Sequence, residues 1–274
     1  MEFLLEKLGV GLNYTQELLI AALMMSRTVT LVLFTPWLGG KLIPPEIKMG
    51  VSVLLVVLLW PLARSSMTDP IPTQALPYVL LMCKEVLIGF VLGFIASKIF
   101  WAAEVAGRLS DTVRGASMAE VMVPQSGERA TPIGDLYYQL LIVLFLAVGG
   151  HRIFIEAYFW SFKTIPIEKS LDFGPRLIPF FEHMVRVGVD VLLLGTMLAA
   201  PVIAATFITD LVFGILNRVA PTLNAYFMAM PVKAMAGVVL IMVALQPIVL
   251  KFQTFIVDSL GHMEKAIDLM HVVR

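Results

Sequence analysis

The chain has almost no cysteine and no surplus of charge. Its 274 residues include one cysteine, Cys83, and 20 basic side chains against 20 acidic ones. A single cysteine excludes an intrachain disulfide framework and a Cys-X-X-Cys metal site. Because Cys83 lies in an apolar run, we expect it to be a small buried hydrophobe. The balanced charge argues against a nucleic-acid-binding surface and against a polybasic lipid anchor, so no nucleic-acid partner is expected.

Sequence motifs for catalysis and for cofactor binding are also missing. The sequence contains no HExxH, no phosphate-binding P-loop, no GxSxG and no GxGxxG that opens a βαβ unit. Asp190 and Asp210 could form an intramembrane aspartyl pair, which leaves a membrane protease as a minor alternative. Carboxylates in membrane helices are more often paired structurally or placed on transport routes. We therefore predict a protein without enzymatic activity, cofactor or metal ion.

Apolar residues dominate what is present. They make up 59% of the chain and raise the mean hydropathy to +0.89, whereas ordinary soluble domains contain about 45–50%. This composition is typical of membrane proteins, and no cleaved leader is expected because Glu2 and Glu6 stand where a signal peptide needs positive charge. Six apolar segments can be drawn, at about 18–37, 49–62, 76–103, 136–148 with an extension to 162, 185–216 and 225–252.

Several segments fit poorly to the roughly 20 apolar residues that a bilayer-spanning helix needs. Some are short, others are long, and charged residues fall within or beside them. Because a charge at the bilayer centre is costly, we expect these helices to face protein or a water-filled path more than lipid. Adjacent helical residues point about 100° apart, so Lys84 and Glu85 are expected to pair with other helices rather than with each other. The charged positions are Arg27, Lys84, Glu85, Lys98, Asp190, Asp210 and Lys233.

Turn residues predict how the helices are connected. The stretch FTPWLGGKLIPPEIK should form a helix, a stiff corner and a second helix. The short link LNRVAPTLN should join the last two apolar runs as an antiparallel hairpin. Prolines 201, 231 and 247 should bend its arms, and the polar tail after residue 257 is expected to form a short helix at the surface or facing a partner. The predicted fold is all-α, built from bent helical hairpins, membrane-associated and assembled with partner subunits.

The longest polar interruption runs from residue 107 to 134. Its frequent glycines and prolines exclude one long helix, although one or two helical turns fit. A loop of this length is usually functional or disordered, so the segment is a candidate lining or gate. A merely solvated connector is the alternative. Its methionines and valines could form a soft apolar seal.

The order and spacing of many small motifs carry a family resemblance over nearly the whole chain. The chain resembles the FliR/SctT export-apparatus proteins of bacterial flagella and type III secretion systems, and its central loop is closer to the SctT branch. It departs from the pattern in an acid-rich loop with Asp111, Glu120, Glu128 and Asp135. The matching residues are Arg27, Pro36, Gly39, Pro44, Glu85, Gly89, Gly93, Arg114, Gly115, Ala116, Ser117, Pro124, Gly127, Glu128, Pro132, Ile133, Gly134, Gly149, Gly150, His151, Asp210, Gly214, Arg218, Ala220, Pro221, Asn224, Pro231, Val232 and Lys233.

The resemblance implies a place in an export gate of the bacterial inner membrane, within the secretion-system basal body. One copy would assemble with SctR, SctS and SctU homologues (flagellar FliP, FliQ and FlhB) around a channel for secreted unfolded proteins, next to membrane lipid. It implies an SctR-like part over residues 1–175, an SctS-like hairpin over 176–257 and a tail over 258–274.

The resemblance implies that segment 107–134 is a plug. Together with the residue chemistry, this predicts roles for particular residues. The plug would use Gly107, Arg114, Gly115, Ser117, Met118, Val121, Met122, Val123, Pro124 and Gly127. Helix packing or partner contacts would use Arg27, Lys84, Glu85, Gly89, Gly93, Asp210, Arg218, Pro221 and Lys233. A secondary transporter or channel that acts alone is the main alternative, because intramembrane charges and proline-broken helices are common in that class.

Overall fold

The structure is a computed structural model that describes residues 14–40, 43–115, 132–171, 174–221 and 225–270. Within these ranges the chain is helical and has no strand. The predicted all-α fold is therefore confirmed. The helices are α1 (Tyr14–Phe34), α2 (Pro36–Gly39), α3 (Pro45–Ser66), α4 (Ala75–Val113), α5 (Pro132–Ala147), α6 (Gly150–Thr164), α7 (Leu177–Val219) and α8 (Ala225–Met270), with a 3₁₀ turn at Gly174–Arg176.

Five helical stretches in the described part of the chain are long and apolar enough to cross a membrane. They comprise α1, α3, α4, the 3₁₀ turn with α7, and most of α8. Helices α5 and α6 qualify only as a pair, bent by 73° at the break between them. Gly149 lies at this break with φ of +81°, a left-handed conformation that glycine adopts readily. These stretches correspond to the six apolar segments of the sequence and give the protein a membrane location.

Prolines begin some helices and lie inside others. Pro36 and Pro45 stand at the first position of α2 and α3, where a missing N–H costs nothing. Pro61, Pro201 and the two prolines of α8 lie within longer helices that continue past them. The corner predicted between residues 34 and 48 is observed as the step from α1 through α2 to α3.

Helix α4 continues through Gly107 to Val113, which agrees with the one or two helical turns that the sequence allowed in this polar segment. Two predictions about local structure are wrong. The tail does not form a separate surface helix, since α8 runs on to Met270 and buries Met263, Ile267 and Met270. Cys83 is exposed, because it lies on a side of α4 that no described part of the chain covers.

The chain forms two compact units. The first comprises residues 1–97, 153–182 and 261–274, and the second comprises 98–152 and 183–260. Buried side chains of Leu23, Ile88 and Phe162 contribute to the core of the first unit. In the second unit, Phe100 packs edge-on against Phe145 at a centroid distance of 5.5 Å. The division into SctR-like, SctS-like and tail segments concerns likeness to other proteins and stays a prediction.

Helices α7 and α8 leave much of their apolar surface uncovered. Only a third of the most apolar window of the α7 stretch is buried, and less than a quarter of that of α8. Large side chains on both helices are more than half exposed, among them Leu192, Phe207, Ile215, Val239 and Met242. Soluble monomers rarely expose apolar area on this scale, so these faces are suited to lipid or to other polypeptides.

Candidate functional site

The polar segment between α4 and α5 is held at both ends by a compact set of residues, which we call the loop base: Gly107, Asp111, Arg114, Ile133 and Gly134. Gly107 lies in α4 directly against the first turn of α5. A Cβ atom on Gly107 would be 2.2 Å from the Cα of Gly134, so the two backbones touch where no larger residue fits. Gly115 then ends the helical course with φ of +83°.

Asp111 joins the two helices by hydrogen bonds. Its Oδ2 accepts hydrogen bonds from the backbone N–H of Ile133 at 3.0 Å and of Gly134 at 3.4 Å. These N–H groups belong to the first turn of α5 and have no partner within that helix. A buried carboxylate from α4 therefore caps α5, where its charge also favours the positive end of the helix dipole.

Arg114 completes the loop base and is only partly satisfied. Its Nη2 donates to Asp111 Oδ1 at 3.3 Å, and its side chain lies on Gly237 of α8, where an added Cβ would meet the Arg114 Cδ at 2.0 Å. Within the described part of the chain, its buried Nε and Nη1 have no hydrogen-bond partner, and neither has the hydroxyl of Tyr137. Buried unsatisfied donors cost about 1–3 kcal/mol each, so this part of the site is less completely hydrogen-bonded than a saturated cluster.

A second buried cluster lies in the first unit and consists of Arg27, Lys84 and Glu85. Arg27 donates from Nε to Glu85 Oε2 at 2.5 Å and from Nη2 to Oε1 at 3.1 Å. Its Nη1 donates to Ser161 Oγ at 3.3 Å, and its guanidinium lies 4.1 Å from the ring centroid of Phe162. All nitrogens of this fully buried arginine are therefore satisfied.

Lys84 shares the same carboxylate. Its Nζ lies 2.6 Å from Glu85 Oε1, so the expectation that these neighbours would not pair is wrong: the long lysine stem lets both side chains converge although their Cα–Cβ bonds diverge. Lys84 also donates to the carbonyls of Pro166, Ile167 and Lys169 at 2.8–3.0 Å. This buried charge cluster thus fixes the chain just after α6.

The two glycines of the GxxxG motif place α4 against α1 beside this cluster. A Cβ on Gly89 would lie 2.3 Å from the carbonyl oxygen of Arg27, and one on Gly93 would lie 2.7 Å from the Cβ of Phe34. Both neighbours belong to α1 and the first is backbone, which cannot move aside. Close helix contact of this kind requires small residues.

The remaining intramembrane charges form two separate pairs in the second unit. Lys98 Nζ lies 2.9 Å from Asp190 Oδ2 and 3.5 Å from Asp258 Oδ2. Lys233 forms an ion pair with Asp210. Asp210 precedes the end of α7 and Lys233 follows the start of α8 by similar lengths, so their contact agrees with the predicted antiparallel hairpin.

The two aspartates cannot form a catalytic pair. Asp190 and Asp210 lie on the same helix and are separated by about 30 Å along its axis, given a rise of 1.5 Å per residue. An aspartyl dyad needs both carboxylates at one point, so the protease alternative loses its proposed site. The described residues also contain no group of three or more metal-ligating side chains that could hold an ion.

Much of the predicted plug lies outside the described residues. This applies to Ser117, Met118, Val121, Met122, Val123, Pro124 and Gly127, whereas Gly107, Arg114 and Gly115 lie in or next to the loop base. Of the predicted contact residues, Arg27, Lys84, Glu85, Gly89 and Gly93 come together in the first unit. Asp210 and Lys233 pair with each other, and Arg218 and Pro221 are exposed at the end of α7 and just after it.

Sequence reasoning missed the role of Asp111, which it noted only as part of an acid-rich loop. It also missed Tyr158, whose hydroxyl lies 2.5 Å from that of Thr28, and Ser161. A usable signal existed for Asp111, because it lies one helical turn after Gly107 and so on the same face of a continued helix. No such signal existed for Ser161, whose contact with Arg27 spans more than a hundred residues.

Comparison with known proteins gives consistent matches along the chain. The profile of the family described as "Bacterial export proteins, family 1" matches residues 18–258. The Yop proteins translocation protein T of Yersinia pestis is 31% identical over 234 residues, which cover 85% of this chain and 86% of that protein. The flagellar biosynthetic protein FliR of Bacillus subtilis is 28% identical over 216 residues, which cover 78% of this chain and 81% of that protein. The secretion system apparatus protein SsaT of Salmonella typhimurium is 30% identical over 220 residues, which cover 80% of this chain and 84% of that protein.

Proposed function

The chain belongs to the bacterial export proteins, family 1, and we propose that it is a non-enzymatic subunit of a type III secretion export gate in the bacterial inner membrane. In this role it forms part of the channel entrance for unfolded protein substrates. Relatives from both injectisomes and flagella match it over most of their length. The amino-acid sequence of the central loop favours the injectisome (SctT) branch of the family. The plug is the segment that begins and ends at the loop base.

One observation carries the proposal of a plug. The two helices that flank segment 116–131 are held together by the Gly107–Gly134 contact and by the Asp111 cap on α5. In the proposal, the segment runs as a strap between these two joined helices. Such a strap can block a conduit without unfolding the helices that carry it. The glycines at its margins provide hinge freedom, as in other gating loops.

The uncovered faces of α7 and α8 support assembly with other subunits. Three of their charged residues are paired within the chain: Asp210 of α7 with Lys233 of α8, and Asp190 of α7 with Lys98 of α4. This leaves mainly apolar surface, which suits close packing against SctR, SctS and SctU homologues. The paired charges argue against the alternative of a transporter that acts alone, because a transport route needs groups that are free to exchange partners.

The plug is tested by replacing Met118, Val121, Met122 and Val123 with serine in the full chain co-expressed with its partner subunits. This change keeps the length of the segment and removes its apolar side chains, which form the proposed seal. The expected result is an assembled complex that leaks ions or small molecules across the membrane. Deletion of residues 117–127 should have the same effect.

The matched control replaces Gln125, Ser126 and Glu128 with alanine in the same segment. This variant changes three polar residues of the strap but keeps the apolar ones, so the channel should stay tight. A complex of normal composition that remains tight after the serine replacement and after the deletion would contradict the plug assignment. Loss of assembly in the deletion alone leaves the serine variant as the deciding measurement.

A further inference from the structure

A basic hollow lies in the first unit, apart from both clusters described above. Its volume is about 680 Å³, and its lining includes Trp160, Lys163, Arg176, Lys265 and Asp268. Three cations and one carboxylate give the lining a net positive charge. Arg176 Nη1 donates to the backbone carbonyl of Asp268 at 3.2 Å, which ties the 3₁₀ turn before α7 to the last turn of α8.

The hollow lies at the ends of three helices. It is found where α6 ends, where the stretch that includes α7 begins and where α8 ends. The ends of apolar spans reach the headgroup region of a bilayer, and tryptophan side chains are enriched there. Trp160, in the lining of the hollow, is 36% exposed.

Exposed apolar side chains adjoin the basic lining. Helix α7 begins directly after Arg176, and three apolar side chains at its start are exposed: Leu177 by 42%, Ile178 by 78% and Phe181 by 59%. A surface with cations at one level and uncovered apolar side chains next to it matches a phospholipid, whose phosphate is anionic and whose acyl chains are apolar.

We propose that this hollow is a binding site for the headgroup of an anionic phospholipid. Lys163 and Lys265 attract the phosphate, Arg176 closes the side next to α7, and the acyl chains lie on the first turn of α7. Basic pockets between membrane helices bind anionic headgroups in this way. The proposal goes beyond the proposed export function and does not depend on the plug.

The test uses the full chain in mild detergent and measures bound lipid by native mass spectrometry. The chain is offered equal concentrations of phosphatidylglycerol and phosphatidylcholine, which differ in headgroup charge. The expected result is retention of phosphatidylglycerol in preference to phosphatidylcholine. Each nearby cation contributes a factor of about five to anionic lipid binding. The double variant Lys163→Gln with Lys265→Gln should therefore lower the preference by roughly twentyfold.

The matched control is Lys48→Gln with Lys251→Gln, which removes the same charge from positions of α3 and α8 that do not line the hollow. Its preference should equal that of the original chain. Equal retention of the two lipids, or an equal loss of preference in both double variants, would overturn the proposal.

Two further arms identify the ligand. Inorganic phosphate at millimolar concentration should not displace the lipid, and displacement would instead indicate a simple anion site. A photocrosslinker at residue 163 in the assembled complex should label lipid, and exclusive labelling of an acidic segment of another subunit would replace the lipid with a protein partner.

Discussion

Both buried clusters pair basic side chains with a carboxylate, but they differ in how fully their nitrogens are hydrogen-bonded. In the buried charge cluster, Glu85 contacts two cations, and the nitrogens of Arg27 and Lys84 all have acceptors. At the loop base, Asp111 bridges two helices, but two nitrogens of Arg114 have no hydrogen-bond partner among the described residues. A saturated cluster has one favourable arrangement, whereas an unsaturated one gains from rearrangement. The first is therefore suited to a fixed scaffold and the second to a part that moves.

The largest expected effect comes from Glu85→Gln. This change leaves Arg27 and Lys84 as buried cations without a counter-charge, and breaking a buried pair in this way costs about 3–5 kcal/mol. The free energy of unfolding of the full chain in mixed micelles, followed by circular dichroism, should fall by that amount.

The matched control for this change is Glu264→Gln, at an exposed position of α8, which should shift stability by less than about 0.5 kcal/mol. Equal small losses in both variants would show that the buried cluster does not stabilise the first unit.

The next effect concerns the glycine contacts, which both regions possess. Gly89→Ala and Gly107→Ala each place a Cβ within 2.3 Å of backbone atoms, and such overpacking costs about 1–3 kcal/mol. Both variants should lose stability, but only Gly107→Ala should also raise ion leakage through the assembled complex, because only that contact joins the helices on either side of the proposed plug. Equal ion leakage from complexes with Gly89→Ala and with Gly107→Ala would contradict the proposed difference between the two regions.

The controls are Gly50→Ala and Gly214→Ala. These glycines lie in helices with no atom within 4 Å of an added Cβ. Alanine favours helix more than glycine does by up to about 1 kcal/mol. Both control variants should therefore be as stable as the original chain or slightly more stable.

A smaller effect is expected for Asp111→Asn. The amide oxygen can still accept from Ile133 and Gly134, while the charge that favours the helix N-terminus and Arg114 is lost. A loss of about 1 kcal/mol is expected, with leakage increased above that of the original complex. Asp135→Asn changes a nearby exposed acid of α5 and provides the control. Equal leakage from the two variants would show that the cap on α5 does not hold the plug closed.

The sequence predicted the helical class and the approximate spans because long apolar runs dominate the local energetics. Lys84 and Glu85 were singled out because charges in such runs are costly, yet their partners could not be found. Arg27 meets Ser161 and Ile165 across more than a hundred residues, and such contacts depend on how helices pack rather than on local pattern. The end of α4 could not be placed from the sequence, because the polar residues after Gly107 are typical of a loop. The backbone hydrogen bonds of a helix form with polar side chains as well, so the helix continues to Val113.

The smallest effect, and the sharpest test of the comparison, is expected for Arg114→Met. Methionine keeps the length that fills the space over Gly237. It removes two buried nitrogens that have no partner among the described residues, together with one weak bond to Asp111 at 3.3 Å. These contributions oppose each other, so the free energy of unfolding should change by less than about 1 kcal/mol. Arg27→Met, the matched change in the saturated cluster, should cost about 3–5 kcal/mol, because it leaves Glu85 without its main partner. If the two arginine variants lose equal stability, Arg114 is as fully bound as Arg27, and the loop base is a fixed part of the scaffold.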